Sequence, residues 1–276
     1  MKTLTQHIVK SLIKSREESS HKGTYGHALL VAGNLGRMGA AVIASRACLR
    51  AGTGLLTVHV PESERVILQT AIPEAMLIFR SKSDYDLSIF SSIGIGCGLG
   101  TEQESVDLLT HFITHCKKPI LLDADALNII SENNLLLRKI PHQSIITPHP
   151  KEFDRLFGVH HAIEKRIDTA IKKAKELNIT IVLKGHKTLI TNNGEAFLNS
   201  TGNAGLAKGG SGDALTGIIT AFLAQGYTPF IAAKIGVFIH GLAADITLKT
   251  QSMESMLITD VIENLGLAFK EISSLQ

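Results

Sequence analysis

The chain has 276 residues, of which 44% are hydrophobic and 19% are charged, and this composition excludes an intrinsically disordered protein. The formal net charge is only +3 and no block rich in lysine and arginine occurs, so we expect no nucleic-acid partner. We also expect no membrane span, because no run reaches the ~18 apolar residues that a transmembrane helix needs. Three widely spaced cysteines, and an N-terminus without a signal-peptide pattern, predict a cytoplasmic protein with unpaired thiols.

Short apolar runs alternate with helical patterns along the first two thirds of the chain. In order, the patterns predict a strand at 27–33, a helix at 39–52, a strand at 55–60, a strand running into a glycine turn at 91–100, a helix at 101–115, strands at 119–127 and 144–150, two helices within 151–177, and a strand at 179–185. This alternation is typical of an α/β protein with a mostly parallel central sheet and helices on both faces.

The pattern changes after residue 185. The stretch "HKTLITNNGEAFLN" (186–199) has two short alternating runs around Asn-Asn-Gly, which predicts an antiparallel hairpin toward one end of the sheet. Helices are predicted at 212–226, 228–248 and 258–272. No internal repeat or linker interrupts the chain, so we expect residues 1–276 to form a single domain.

Four polar or glycine-rich motifs follow predicted strands. They are "GNLGRMGAA" (33–41), "GCGLG" (96–100), "TPHPKE" (147–152) and "KGHKT" (184–188). Ligands of such sheets bind at the carboxyl ends of the strands, so we expect these motifs to form one composite site.

The stretch "GNAGLAKGGSGDALTG" (202–217) places Asp213 where five glycines give way to a helical pattern. Glycine lets the backbone approach a ligand closely, and the first turn of a helix attracts phosphate. Asp213 can therefore be a helix N-cap or a general base beside a bound phosphoryl group. The residues alone leave both interpretations open.

Other polar residues also have two interpretations. Asp123 and Asp125 can hold a metal or cap the turn after a strand. His149 lies between two prolines, where it is either a surface residue in a rigid turn or a ligand contact. Glu152 can favour a helix start or act through water on Mg²⁺, and Lys184 is either a solvated charge or a nucleotide contact.

The motifs together resemble those of the ADP-dependent NAD(P)H-hydrate dehydratases of the ribokinase-like superfamily. The matching stretches run in order from residue 20 to residue 226: "SHKGTYGHALLVAGNLGRMGAA", "GIGCGLG", "LLDADALN", "ITPHPKEFDRLFG", "VLKGHKT" and "NSTGNAGLAKGGSGDALTGIITAFLAQG". The resemblance implies repair of the hydrated cofactors (6S)-NADHX and (6S)-NADPHX. ADP phosphorylates the added hydroxyl, and loss of phosphate then restores NADH or NADPH, with AMP and phosphate as the other products.

The resemblance also implies the site. Contacts to the hydrate are expected from Ala40, Gly98, His149 and Asp213, and Asp213 is the catalytic base. The nucleotide site is expected from Lys184, Gly185, His186, Lys187, Thr188 and Gly212. ADP is the implied co-substrate and Mg²⁺ the implied cofactor, with no metal-ligating residue assigned. A homo-oligomer is implied, and epimerisation of the hydrate is expected to fall to a separate NAD(P)H-hydrate epimerase.

Two other functions fit parts of the sequence. An ATP-dependent kinase of a small hydroxymethyl vitamin precursor shares the resemblance around Asp213. However, such kinases commonly carry Asn-x-x-Glu where this chain has "HPKE" (149–152). A non-catalytic nucleotide sensor is disfavoured by the intact glycine-rich loop. One departure from the dehydratases is Cys97, which stands where proline is usual.

Overall fold

Ten strands form one sheet in the computed structural model, which describes residues 1–81 and 86–274. The strands are β1 (Lys2–Leu4), β2 (His27–Val31), β3 (Leu55–Val60), β4 (Met76–Phe79), β5 (Ser92–Ile95), β6 (Leu121–Leu122), β7 (Ile145–Ile146), β8 (Thr180–Leu183), β9 (Leu189–Asn192) and β10 (Glu195–Asn199). The α-helices are α1 (Gln6–Leu12), α2 (Met38–Arg50), α3 (Arg65–Ala71), α4 (Gln103–His115), α5 (Asp125–Glu132), α6 (Asn134–Leu137), α7 (Pro150–Phe157), α8 (Ile163–Glu176), α9 (Ser211–Ala224), α10 (Pro229–Thr247), α11 (Ile258–Glu263) and α12 (Leu265–Ser273).

The sheet is mostly parallel, as predicted. Its order is β1-β10-β9-β8-β7-β6-β5-β2-β3-β4. Strand β9 runs antiparallel to both of its neighbours, β8 and β10, and the remaining pairs are parallel. Asn193 and Gly194 join β9 to β10 with φ values of 44° and 87°, the left-handed pair that a two-residue hairpin turn requires. The Asn-Asn-Gly hairpin is therefore confirmed.

Helices cover both faces of the sheet. Leu30 of β2 joins the core formed with α2, α9 and α10, whereas Leu29 and Val31 join the core formed with α4, α5, α7 and α8. Alternate residues of one strand thus serve opposite layers, as the geometry of a strand requires.

Several elements differ from the sequence-based expectation. The strands predicted at 119–127 and 144–150 shrink to two residues each, because the chain leaves the sheet early and starts α5 and α7. The helix predicted at 258–272 is two helices that meet at Asn264. Strands β1 and β4 and helices α1 and α3 were not predicted, since each is too short to show a clear period.

Helix α10 corrects the expectation that no segment is apolar enough to cross a membrane. By length and composition alone, Pro229–Thr247 passes that test. However, 83% of the stretch is buried inside the protein, where it packs against α9, α12 and the sheet. Its apolar character is that of a helix covered on all sides by a protein core.

Helices α2 and α9 approach each other closely at Gly217. A Cβ atom at this position would lie 2.1 Å from the carbonyl oxygen of Ala44 on α2. We expect Gly217→Ala to lower the free energy of unfolding by about 1–3 kcal/mol, because the contacted atom is backbone and cannot move aside. Gly266→Ala is the matched control, since that helical glycine has open space around it and alanine favours a helix. Denaturant unfolding should show G266A as the most stable protein, the wild type next and G217A as the least stable. Equal stability of the wild type and G217A would refute the close packing.

Candidate active site

The carboxyl ends of β6, β7 and β8 open into a cleft of about 690 Å³. The start of α9 and one side of α10 complete its walls. Seven residues expected in the site line this cleft: His149, Lys184, Gly185, His186, Thr188, Gly212 and Asp213. The convergence of "TPHPKE", "KGHKT" and the glycine-rich loop is therefore observed. The backbone N–H of Lys184 donates to the carbonyl of Pro148, which ties two of these motifs together at 2.9 Å.

A buried ion pair forms the floor of the cleft. Lys184 Nζ lies 2.7 Å from Asp123 Oδ1 and 3.9 Å from Glu152 Oε2. The other oxygen of Asp123 accepts a hydrogen bond from the hydroxyl of Thr216, at 2.9 Å. Burial alone lowers the pKa of Lys184, but the charges of Asp123 and Glu152 outweigh it and raise the pKa overall. Lys184 therefore stays charged and faces the cleft beside Gly212, whose Cβ, if it had one, would lie 3.4 Å from Nζ.

Asp213 lies in the first turn of α9 but does not cap the helix. The N-cap is Gly210, with φ of 90°, and it has no side-chain capping bond from the described residues. Asp213 is the third helical residue, so the N-cap interpretation is wrong. Burial raises the pKa of Asp213, and the nearby charges of Asp123 and Asp125 raise it further. A carboxylate that burial makes more basic suits proton transfer.

His149 is the N-cap of α7 rather than a free surface residue. Its Nδ1 atom accepts hydrogen bonds from the backbone N–H groups of Lys151 and Glu152, at 3.1 and 3.2 Å. Glu152 completes the capping box by accepting from the backbone N–H of His149 at 2.7 Å. Burial and the charge of Lys184 lower the pKa of His149, so its ring is neutral with the proton on Nε2.

Glu152 is the second titratable member of this corner. Its side chain is only 6% exposed, and burial raises its pKa to about 6. Glu152 lies in the first turn of α7, so the interpretation that it favours a helix start is confirmed.

Asp125 has a different role from the two expected. Its Oδ2 atom accepts a hydrogen bond from the backbone N–H of Gly100 at 2.8 Å, and it lies 3.9 Å from Arg37. It therefore joins the "GCGLG" and "GNLGRMGAA" turns. Between the two carboxylates, Ala124 has φ of 50°, an unusual value for a residue with a side chain.

Three expected site residues lie outside the lining of the cleft: Ala40, Gly98 and Lys187. Ala40 and Gly98 do lie together, since a Cβ at Gly98 would be 2.9 Å from the Cβ of Ala40. Gly98 has φ of 59°, which favours glycine. Lys187 belongs to the same loop as Lys184 but has no contact with the cleft among the described residues.

The far wall of the cleft contains residues that sequence reasoning missed. They include Asn199, Thr201, Asn203, Leu206, His240 and Gly241. Asp245 of α10 holds the loop in place by accepting from the backbone N–H of Gly202 and the amide of Asn203. The polar residues within the otherwise apolar α10 were the sequence signal that could have indicated this wall of the cleft. His240 is buried and its pKa is lowered to about 4 by burial and by Lys184, so it is neutral.

The donor atoms of the cleft do not form a metal cage. No group of three or more His, Cys, Asp or Glu side chains suited to a metal occurs among the described residues. Mg²⁺, however, usually keeps several waters and binds through substrate phosphates with one or two carboxylates. The carboxylate-lined cleft fits an ion that arrives with a nucleotide.

Sequence comparisons point to one family. The profile of the NAD(P)H-hydrate dehydratase family matches residues 28–266. The ADP-dependent (S)-NAD(P)H-hydrate dehydratase of Neisseria meningitidis is 39% identical over 91% of this chain and 87% of its own length. The bifunctional NAD(P)H-hydrate repair enzyme of Moorella thermoacetica is 34% identical over 98% of this chain, which spans 54% of that longer protein.

Comparison with solved structures leads to the same family as the sequence relatives. An ADP/ATP-dependent NAD(P)H-hydrate dehydratase from Bacillus subtilis, co-crystallised with ATP and Mg²⁺, has a TM-score of 0.88 at 33% identity, with 98% of each chain covered. A ribokinase-like superfamily protein from Enterococcus faecalis has a TM-score of 0.85 at 29% identity and covers 99% of this chain and 97% of its own. The predicted ribokinase-like fold is confirmed.

Proposed function

Because the chain belongs to the NAD(P)H-hydrate dehydratase family, we propose that it uses ADP to dehydrate (6S)-NADHX and (6S)-NADPHX and so restores NADH and NADPH. The observation that carries this proposal is the position of Asp213. A half-buried carboxylate of raised pKa stands at the first turn of a helix, in the same cleft as the charged Lys184. A proton acceptor beside a phosphate-binding helix start is suited to phosphoryl transfer to a hydroxyl.

The nucleotide half of the site is proposed to comprise Lys184, Gly185, His186, Lys187, Thr188 and Gly212. The backbone N–H groups at the start of α9 would face the phosphates of ADP, since Gly210 provides no side chain to compete for them. Lys184 would neutralise charge on the transferred phosphoryl group. Its pair with Asp123 keeps the ammonium group in one position without removing its charge.

The hydrate half is proposed to comprise Ala40, Gly98, His149 and Asp213. Asp213 would accept the proton of the added hydroxyl as the hydroxyl oxygen attacks the β-phosphorus of ADP. The bond from that phosphorus to the bridging oxygen breaks, and AMP leaves. In the second step the carbon–oxygen bond of the phosphorylated hydrate breaks and the oxygen departs with phosphate. The adjacent ring carbon loses a proton, and the ring double bond of NADH or NADPH forms. A general base that accepts a proton, as Asp213 would, typically accelerates a reaction roughly 10²–10⁴-fold.

Mg²⁺ is proposed to arrive with ADP, where it would neutralise charge on the phosphates. Waters and phosphate oxygens would hold it, with Glu152 acting through a water molecule. Because burial raises the pKa of Glu152 to about 6, its negative charge is lost as the pH falls through that value. This carboxylate would then assist the ion less in acid.

The choice of donor can be tested directly. ADP places its β-phosphate, the group transferred, against the loop and the helix start. ATP would put an additional phosphoryl group in the space of the hydrate's hydroxyl. We expect kcat/KM for hydrate conversion to be at least about tenfold higher with ADP than with ATP. A higher kcat/KM with ATP, accompanied by ADP formation, would refute ADP as the preferred donor but leave the dehydratase activity intact.

His149 offers a test that separates ligand binding from helix capping. Asparagine is a good N-cap, so His149→Asn should keep α7 and the melting temperature intact while losing the Nε2 donor. We expect the KM for the hydrate to rise about tenfold and the Kd for ADP to change less than about twofold. His149→Ala should add a loss of about 1 kcal/mol in stability. Equal losses of affinity for both ligands would assign His149 a capping role only.

Three wider features are also proposals. The protein is proposed to act in the cytoplasm, as a homo-oligomer, and in functional partnership with an NAD(P)H-hydrate epimerase that supplies the reactive epimer. The epimerase link is supported by relatives described as bifunctional repair enzymes. Cross-linking or light scattering would establish the oligomeric state.

A further inference from the structure

His240 is a buried histidine in the wall of the cleft, and one of its ring nitrogens has no hydrogen-bond partner among the described residues. It is 6% exposed and lies on α10, where it lines the cleft together with Val237 and Gly241. These positions are three and four residues apart, so they share one face of the helix. The Nε2 atom is enclosed and makes no hydrogen bond to any described residue. Buried polar atoms are normally hydrogen-bonded, so an atom of this kind in a binding cleft points to a ligand.

The wall that contains His240 is joined to the proposed nucleotide half of the site. A Cβ atom at Gly241 would lie 2.4 Å from the hydroxyl oxygen of Thr201, so α10 packs directly on the loop that follows β10. The backbone N–H of Asn199 donates to the carbonyl of Thr188 at 2.9 Å, which ties this loop to the "KGHKT" loop. His240 therefore lies on the nucleotide side of the cleft.

The strand order indicates which part of the nucleotide reaches His240. Gly98 follows β5, Lys184 follows β8 and the loop of Thr201 follows β10. Across the sheet these strands stand in the order β10-β9-β8-β7-β6-β5. Phosphoryl transfer has to occur between the hydrate and the nucleoside, beside Lys184 and Asp213. The nucleoside therefore extends from that point toward β10, where His240 lies.

The surroundings of His240 suit the base of a nucleotide. Leu206, Leu215 and Val237 contribute apolar surface to the cleft, and an apolar wall with few polar groups is typical of small-molecule sites. Burial and the charge of Lys184 lower the pKa of His240 to about 4, so the neutral imidazole does not serve as a cation for phosphate. An enclosed acceptor is less costly to leave without a partner than an enclosed N–H, which places the proton on Nδ1 and the lone pair on Nε2.

We propose that His240 selects the base of the nucleotide, with Nε2 accepting a hydrogen bond from the exocyclic amino group of adenine. The inference rests on the proposed function, in which ADP is the donor. Because Nε2 is enclosed, the imidazole turns about its Cβ–Cγ bond to bring this atom to the surface of the cleft as ADP binds. Guanine and hypoxanthine have a carbonyl where adenine has the amino group, so they would set two acceptors against each other.

The test measures by calorimetry the Kd of ADP and of purine riboside 5′-diphosphate, which lacks the exocyclic amino group. The wild type is expected to bind the analogue about three- to tenfold more weakly than ADP. His240→Phe keeps a ring but has no acceptor, so it should bind both ligands equally, and ADP about three- to tenfold more weakly than the wild type does. An equal preference for ADP in the wild type and in H240F would overturn the proposal.

Two further variants separate base selection from a general effect of mutation. His240→Gln retains an acceptor near the position of Nε2 and should restore part of the preference for ADP. His111→Phe is the matched control, because it makes the same chemical change at an exposed position on α4. It should keep the full preference for ADP over the analogue.

A second measurement follows the wild-type protein, in case H240F does not fold. In protein labelled with ¹⁵N in histidine, the Nε2 signal of His240 can be assigned by its loss in H240Q. ADP should shift this signal and purine riboside 5′-diphosphate should shift it much less, whereas equal shifts with both ligands would overturn the proposal. The predicted preference without hydrate conversion would refute the proposed function alone. Hydrate conversion without that preference would refute the role of His240 alone.

Discussion

Replacing Asp213 with asparagine is expected to lower kcat by at least about a hundredfold. The variant keeps the shape of the side chain and the first turn of α9 but removes the proton acceptor. Stability should be retained or slightly increased, because burial raises the pKa of this carboxyl and thus disfavours its charged form. The Kd for ADP should change little. Loss of rate without loss of fold or nucleotide affinity is the signature of a general base.

A matched control is available on the surface. Asp168 is exposed on α8, and Asp168→Asn makes the same chemical change away from the cleft. Its kcat should equal that of the wild type. Steady-state rates of hydrate conversion, with binding of ADP measured by calorimetry, would check both variants. Turnover of the Asp213 variant at the wild-type level would remove the assigned role altogether.

Replacing Lys184 with methionine is expected to damage both stability and nucleotide binding. The change leaves Asp123, whose side chain is 2% exposed, and the buried Glu152 without their cation. Breaking a buried ion pair in this way typically costs about 3–5 kcal/mol in the free energy of unfolding. The Kd for ADP should rise at least about tenfold, since the cleft loses its charged group.

Two further variants show whether the loss of stability in the Lys184 variant comes from the broken ion pair. Lys187→Met removes a charge from the same loop, but one outside the lining of the cleft, and should cost less than about 0.5 kcal/mol in stability. Adding Asp123→Asn to the Lys184 variant removes an unpaired buried charge and should recover part of the stability without restoring ADP binding. If the single Lys184 variant unfolds at the same denaturant concentration as the wild type, the ion pair does not stabilise the fold.

The sequence predicted the architecture well where local signals are strong. Strand β3 has the bounds predicted for it, and the helix predicted at 101–115 begins two residues later than expected. The hairpin turn followed from Asn193 and Gly194, whose conformation is a local property. Strand β1 could not be predicted, because it has three residues and pairs with β10, nearly 200 positions away.

Seven of the residues named from the sequence line the cleft, but the contacts between them could not be predicted. The pairing of Lys184 with Asp123 joins positions 61 apart, and each residue alone reads as a strand-end charge. Asp213 looked like a helix cap because aspartate is common there, whereas the left-handed Gly210 occupies that position.

The most direct measurement of the central claim follows two products in one reaction of the purified protein with NADH hydrate, ADP and Mg²⁺. NADH is read by its fluorescence and AMP by chromatography at matched times. We expect equal amounts of NADH and AMP to accumulate together, with no phosphorylated hydrate remaining. Accumulation of a phosphorylated product without NADH would make the protein a kinase, and the absence of both NADH and AMP would contradict the proposed function entirely.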